Sequence, residues 1–173
     1  MQEAFVRTAM LLGEDAMAVL AQKHVAVFGL GGVGSFCAEA LARAGVGALT
    51  LVDDDTVAES NLNRQLVALH STLGRPKAEV MAARIQEINP QCRLRVLAKR
   101  YTPETREEFF DQTLHYIADC IDSVGCKVDL IATAWSGAFP SSAPWAPATS
   151  STRESSPSPI SPKPRFAPWH GSC

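Results

Sequence analysis

The residues that could do chemistry begin with a glycine turn. Gly29, Gly31 and Gly34, with Gly32 between them, follow an apolar run and precede a helical pattern. Glycines at these spacings let backbone N–H groups approach a pyrophosphate, and the helix that starts there adds roughly half an elementary positive charge. Asp53 lies nineteen residues beyond Gly34, where a carboxylate can accept hydrogen bonds from ribose hydroxyls. A purely architectural reading, in which the glycines only permit tight strand-to-helix packing, leaves that acid unexplained. The motif alone leaves NAD or FAD and ATP open. Residues 53–65 then form a long polar stretch that a dinucleotide-binding dehydrogenase does not need, so something else is bound there.

The elements that must position these groups alternate along residues 1–134. Residues 3–22 place Phe5, Ala9, Leu12, Ala16, Val19 and Leu20 at helical spacing, broken at Gly13, which suits one or two short amphipathic helices. Residues 24–28 read as a strand buried on both faces, 35–44 as a helix closed by Gly45 and Gly47, and 49–52 as a second strand running into Asp53. A helix over 77–88 closed by Asn89 and Pro90, a strand over 94–97, a helix over 104–110 and a strand over 116–121 follow. Alternation of this kind predicts an α/β fold, a Rossmann-like doubly wound parallel sheet with strand order 3-2-1-4. The fourth strand is then an edge, and it is expected to lack its covering helix layer.

Four spaced motifs, GLGGVG, VDDDTVAESNLNRQ, GRPKAEV and DCID, resemble the E1-like adenylating superfamily of ThiF, MoeB and HesA proteins. Its opening, residues 5–13, and the run GVGALTLVDDDTVAESNLNRQLVAL most resemble the tRNA threonylcarbamoyladenosine dehydratase branch, over about residues 4–134. The resemblance implies ATP and Mg as cofactors, adenylation of a carboxylate with release of pyrophosphate, and cyclisation of a modified adenosine in tRNA. It implies Asp53 on the ribose, Asn61, Arg64, Gln65 and Lys77 around the phosphates, Asp122 as the Mg ligand, and Arg7 reaching phosphate, often across a dimer interface. The same likeness implies tRNA as a partner, a homodimer, and a sulfur-carrier or desulfurase partner. Arg64 can fork two phosphate oxygens, Lys77 adds a point charge, and a carboxylate at a strand end can hold a metal. Taken singly, Arg64 or Lys77 is an ordinary surface charge, Asn61 a turn or cap, and Asp122 an N-cap before Ser123. Both cations are expected to face solvent without ligand. Competing readings are an NAD(P)- or FAD-binding oxidoreductase and a non-catalytic nucleotide-binding fragment.

Composition narrows the field. The chain has 173 residues, 46% hydrophobic and 20% charged with a net charge of -2, which suits one domain and gives no cationic field to hold nucleic acid or membrane unaided. No apolar run is long enough for a membrane span, and the acidic start lacks a signal-peptide n-region, so a cytoplasmic protein without membrane attachment is expected. Five cysteines, odd in number and without a CxxC pair, speak against a disulfide framework or a four-thiolate zinc site. His24, His70 and His115 lack metal spacing.

At about residue 135 the composition changes: 135–173 hold all three Trp, eight of eleven Pro and ten of fourteen Ser, but one of eighteen acids. Such sequence forms neither helix nor ladder and reads as a disordered tail. A one-base frame shift offers a sharper account. Trp145 followed by Ala146 forces a hidden glycine codon, and residues 145–153 can hide a Met-Gly-Ala-Gly-Asn-Lys-Leu-Asp-Pro string like the segment the dehydratases carry there. On that reading, residues 1–134 are the nucleotide-binding domain and 135–173 are out of frame, leaving a truncated chain that does not complete the reaction.

Overall fold

The computed structural model describes residues 3–110 and 114–135; the composition break and the frame-shifted reading of the tail lie outside the described residues. Two short helices, α1 (Val6–Leu12) and α2 (Glu14–Leu20), are separated at Gly13, whose φ of 85° only glycine adopts without strain. Then come β1 (His24–Phe28), α3 (Gly34–Ala44), β2 (Ala48–Val52), α4 (Lys77–Ile88), β3 (Arg93–Leu97), β4 (Tyr116–Asp119) and α5 (Val124–Trp135).

The strands form one parallel sheet in the order β3-β2-β1-β4, as the alternation predicts. β1 and β2 are buried at every position because they lie centrally, whereas β3 and β4 are the half-exposed edges. Two apolar layers sandwich the sheet. Val25, Val27, Leu49 and Leu51 point to one face, where Ala38 and Ala42 of α3 and Ala78, Met81 and Ile85 of α4 cover them. Ala26, Phe28 and Val52 point to the other, against Tyr101, Phe109, Leu114 and Leu130. Register aligns Phe28 with Val52 and with Asp119, and Val52 with Leu97, so the segments following all four strands converge at one end. This is the crevice in which open α/β sheets bind ligands.

Three expectations are corrected. Residues 104–110 contain only a 3-10 turn, Arg106–Glu108, instead of a helix. Phe109 and Phe110 both lie against the Phe28 ring, and adjacent residues cannot share one helix face. β4 stops at Asp119 because the Asp119 Oδ1 accepts a hydrogen bond from the Ile121 N–H at 3.2 Å, which turns the chain out of the sheet. Finally, the covering layer beside β4 is supplied in part: α5 buries Leu130 against the second apolar layer, while its Val124, Val128 and Ile131 stay exposed.

Candidate functional site

The glycine turn is held by contacts that no side chain could share. The Gly29 N–H donates to the Val52 carbonyl at 2.8 Å, and its φ of 86° reverses the chain as it leaves β1. A Cβ on Gly34 would lie 1.8 Å from the Gly29 carbonyl oxygen, so the first residue of α3 sits directly on the turn. Ser35, fully buried, ties the turn to the helix through its hydroxyl, which donates to the Gly31 carbonyl at 2.6 Å. Gly31 and Gly32 have no such crowding, and their faces remain available to a ligand.

Asp53, at the end of β2, faces this turn. One carboxylate oxygen accepts from the Leu30 N–H at 2.6 Å and the other from the Asp55 N–H at 2.9 Å. Burial pushes its carboxyl above the usual carboxylate range, against the opposing pull of those two N–H groups and of the Lys77 charge.

Residues 53–76 make a closed excursion. Thr56 bridges Pro76, the Val57 N–H donates to Arg75 at 2.9 Å, and the Lys77 N–H donates to the Asp55 carbonyl at 3.0 Å. Val57, Val67 and Ala68 anchor it in the core, and the Leu66 N–H reaches the Ser35 hydroxyl at 3.4 Å. The excursion therefore lies over the glycine turn: a Cβ on Gly32 would be 3.7 Å from the Arg64 Cγ, and one on Gly31 would be 3.7 Å from the Gln65 Nε2. Asn61 acts partly as the cap that one reading foresees, since its Oδ1 accepts from the Ala58 N–H at 3.1 Å. Arg64 is exposed, and its guanidinium donates to the Ser60 carbonyl at 2.9 Å and to Asn63 at 3.0 Å.

Lys77 corrects an expectation. Rather than facing solvent it is 4% exposed, with its ammonium 2.8 Å from the Asp55 carboxylate. The first turn of α4 is thus tied to the chain leaving β2.

These groups line one cavity of about 620 Å³, a volume suited to a nucleotide. Gly29, Gly31, Gly32, Asp53, Asn61, Arg64, Gln65, Lys77 and Asp122 all line it. Gly34 lies beneath the turn instead, and Arg7, exposed on α1, is not part of the wall. Sequence reasoning missed Ser35, Asp55, Lys99, Arg100 and Tyr101. Only the Lys99-Arg100 pair just after the third strand carried a signal, as a basic step at the ligand-binding end of the sheet. Tyr101 closes the floor, edge-on to Phe28 at 5.3 Å, and donates its hydroxyl to the Asp129 carboxylate at 2.7 Å. Burial, and then that carboxylate, push its phenol up to about 12.

The donor set fits a polyphosphate nucleotide. The Gln65 Oε1 is buried without a hydrogen-bond partner among the described residues, as expected of a group that meets a ligand. Asp122 is exposed in the wall with no ion pair among the described residues, so its carboxylate is free for a hard cation. Asp53, Asp54 and Asp55 form a second acidic group, but Asp53 is occupied by backbone N–H groups and Asp55 by Lys77.

Comparison with known proteins places these observations. The ThiF family matches residues 5–164. The chain is 49% identical over 131 residues to the tRNA threonylcarbamoyladenosine dehydratase of Bacillus subtilis, covering 76% of this chain and 52% of that protein. It is 48% identical over 131 residues to the protein of that name from Escherichia coli, covering 76% and 49%. The crystal structure of the Escherichia coli dehydratase in complex with ATP superposes with a TM-score of 0.77 at 46% identity, over 80% of this chain and 57% of that one. The chain spans about half the length of the curated relatives it matches.

Proposed function

The chain belongs to the ThiF family, and from that premise we propose that it carries the ATP-binding unit of an enzyme that adenylates the threonylcarbamoyl carboxylate of a modified tRNA adenosine for ring closure. The carrying observation is the excursion 53–76, which sets Arg64 and Gln65 beside a glycine turn already faced by Asp53 and leads into Lys77 in the same cavity wall. ATP bound there would place its ribose on Asp53 and its phosphates between the turn, Arg64 and Lys77. The substrate carboxylate attacks the α-phosphorus and pyrophosphate leaves. Ring closure then expels AMP, which carries away the oxygen that makes the reaction a dehydration. Such a step needs alignment and charge neutralisation more than an acid or base. Mg, held by Asp122, would supply further neutralisation of phosphate charge.

Against an NAD(P)- or FAD-dependent oxidoreductase stand the matched relatives, which are dehydratases by name. Calorimetry with ATP-Mg and with NAD separates the readings. ATP is expected to bind and NAD to bind far more weakly; preferential NAD binding would sink the adenylation reading.

Arg7 enters through a second copy in this proposal. It lies outside its own cavity wall, on a helix whose Met10 and Leu11 are 78% and 87% exposed. A homodimer that covers those side chains could bring Arg7 to the partner's phosphates. Its assay is sedimentation of the full chain, with the Arg7→Ala variant compared for ATP affinity. tRNA and a sulfur-carrier or desulfurase protein remain the proposed partners. No described helix is long and apolar enough to cross a membrane, and a cytoplasmic site of action is part of the proposal.

A further inference from the structure

We propose that Cys120, in the wall of the nucleotide cavity, and Cys37, behind it on α3, are an oxidisable pair, and that a disulfide between them displaces the glycine turn and weakens nucleotide binding. The effect on nucleotide rests on the ATP reading; the disulfide does not.

The pairing follows from the helix that opens on the turn. Gly34 and Cys37 are three residues apart in α3 and so lie on one face of it. That face meets Cys120, because a Cβ on Gly34 would lie 3.1 Å from the Cys120 Cβ. Cys37, on that face, is therefore the sulfur-bearing neighbour of Cys120, and both residues are half-buried. The other described cysteines are committed elsewhere: Cys126 donates to the Tyr101 carbonyl at 3.3 Å, and Cys92 lies in the core.

Cys120 lines the cavity and Cys37 does not. A small-molecule disulfide such as oxidised glutathione would therefore meet Cys120 first. The Cys120 thiolate attacks one sulfur, and a glutathione thiolate leaves. The Cys37 thiolate then displaces the second glutathione. The protein pair loses two protons and two electrons, and the small disulfide is reduced to two thiols. Burial raises both thiols above the usual value, so the exchange is slow at neutral pH.

Closing the bond draws the sulfurs to about 2.05 Å. Cys120 has no slack to absorb this: its carbonyl oxygen is already 2.6 Å from where a Gly29 Cβ would be, and its N–H donates to Phe28 at 2.8 Å. The strain must pass into the start of α3, the turn, or the segment carrying Asp122.

The test uses the full chain, held for hours with oxidised glutathione or with dithiothreitol. Digestion with an Asp-directed protease separates Cys120 from Cys126 by cutting before Asp122. The expected results are a cross-linked peptide joining Cys37 to Cys120, faster amide exchange over residues 29–34, and ATP affinity lowered at least fivefold, all reversed by dithiothreitol. Cys37→Ser, with Cys37→Ala as the second variant, stops at the Cys120–glutathione adduct, so it should form no 37–120 peptide and its turn should keep the slow exchange of the reduced parent. Absence of the 37–120 peptide in the parent overturns the proposal, as does a linked chain with unchanged exchange in the turn, or a Cys37 variant whose turn exchange quickens like the parent's. A reduced chain that binds no ATP refutes the functional reading instead, and leaves the peptide map and exchange data to decide this one.

Discussion

Alanine at Gly34 and alanine at Gly32 should fail in opposite ways. A Cβ at Gly34 would stand 1.8 Å from the Gly29 carbonyl oxygen, whereas a relaxed carbon-to-oxygen contact needs about 3.3 Å. About 1.5 Å of movement is therefore required between α3 and the turn. The turn cannot yield cheaply, because Gly29 is hydrogen-bonded to Val52 at 2.8 Å and abuts Cys120. Nor can α3, whose Ala38 and Ala42 are fully buried against the sheet. Overpacking of this kind costs at least about 3 kcal/mol, or roughly 6 to 12 °C in Tm for a chain of this size. Gly32 differs: its nearest neighbours would be 3.6 to 3.9 Å from the new carbon, ordinary contact distances, and two of those atoms belong to the Arg64 side chain. Gly32→Ala should leave Tm within about 2 °C, since changes away from packed features stay within about 0.5 kcal/mol. It should nevertheless weaken ATP about tenfold, because the methyl occupies the space between turn and guanidinium. Thermal unfolding and calorimetry on both variants make the test. A Gly34→Ala chain as stable as the parent, or a Gly32→Ala chain equally destabilised, would refute the division of the turn into a packed base and an open cradle.

Arg64→Ala should weaken ATP by roughly 1.5 to 3 kcal/mol with Tm unchanged, because the side chain is exposed. Lys77→Ala should lose similar affinity and also about 1 to 2 kcal/mol of stability, since the buried ammonium ties α4 to Asp55; calorimetry and denaturant unfolding separate the two variants. Asp122→Asn should abolish the Mg dependence of ATP binding in titrations with and without the metal, and an unchanged dependence clears Asp122 of that role. Glu39, which pairs with Arg84 and Arg43, is held below its usual value chiefly by the Arg84 hydrogen bond, so its contribution is full above pH about 4.5 and is lost as pH falls through the lower folded value. Glu39→Gln should therefore cost about 1 kcal/mol at pH 7, with the gap to the parent closing on acidification in unfolding curves, Arg84 being partly solvated. We propose that residues 135–173 are out of frame and that the 173-residue chain therefore does not complete cyclisation; sequencing the encoding DNA around codons 134–140 checks the first point, and restoring the frame should yield cyclisation in an assay in which the 173-residue chain shows none.

The fold was legible because its signals are local. β1 and β2 are short apolar runs ended by Gly29 and Asp53, and α4 begins and ends at the residues its periodicity predicts, closed by Asn89 and Pro90. Where the reading failed, a side-chain contact that the local pattern does not announce decided. The stretch 104–110 has helical spacing, but Phe28 draws in both Phe109 and Phe110, and a tertiary contact overrides propensity. Asp119 reads as one more strand residue, yet its side chain turns the backbone and pairs with Lys127 at 2.6 Å, a partner eight residues away.

At the site, glycine spacing and the acid after the second strand are backbone requirements and therefore visible in one dimension. Burial of a charge is not. Lys77 reads as a surface cation because nothing near it in sequence announces Asp55, twenty-two residues earlier, as its partner. On the proposed ATP reading, the difference matters for mechanism. A solvated lysine would have to be gathered to the phosphates at an entropic cost, whereas this one is already fixed at the start of a helix, and a ligand needs only to compete with a carboxylate that is itself 67% exposed. Water can take over the solvation of Asp55 once the phosphate arrives. Preorganisation of this kind lowers the ordering cost of binding, and it explains why the excursion from Asp53 to Lys77 is built as a closed, core-anchored unit instead of an open loop.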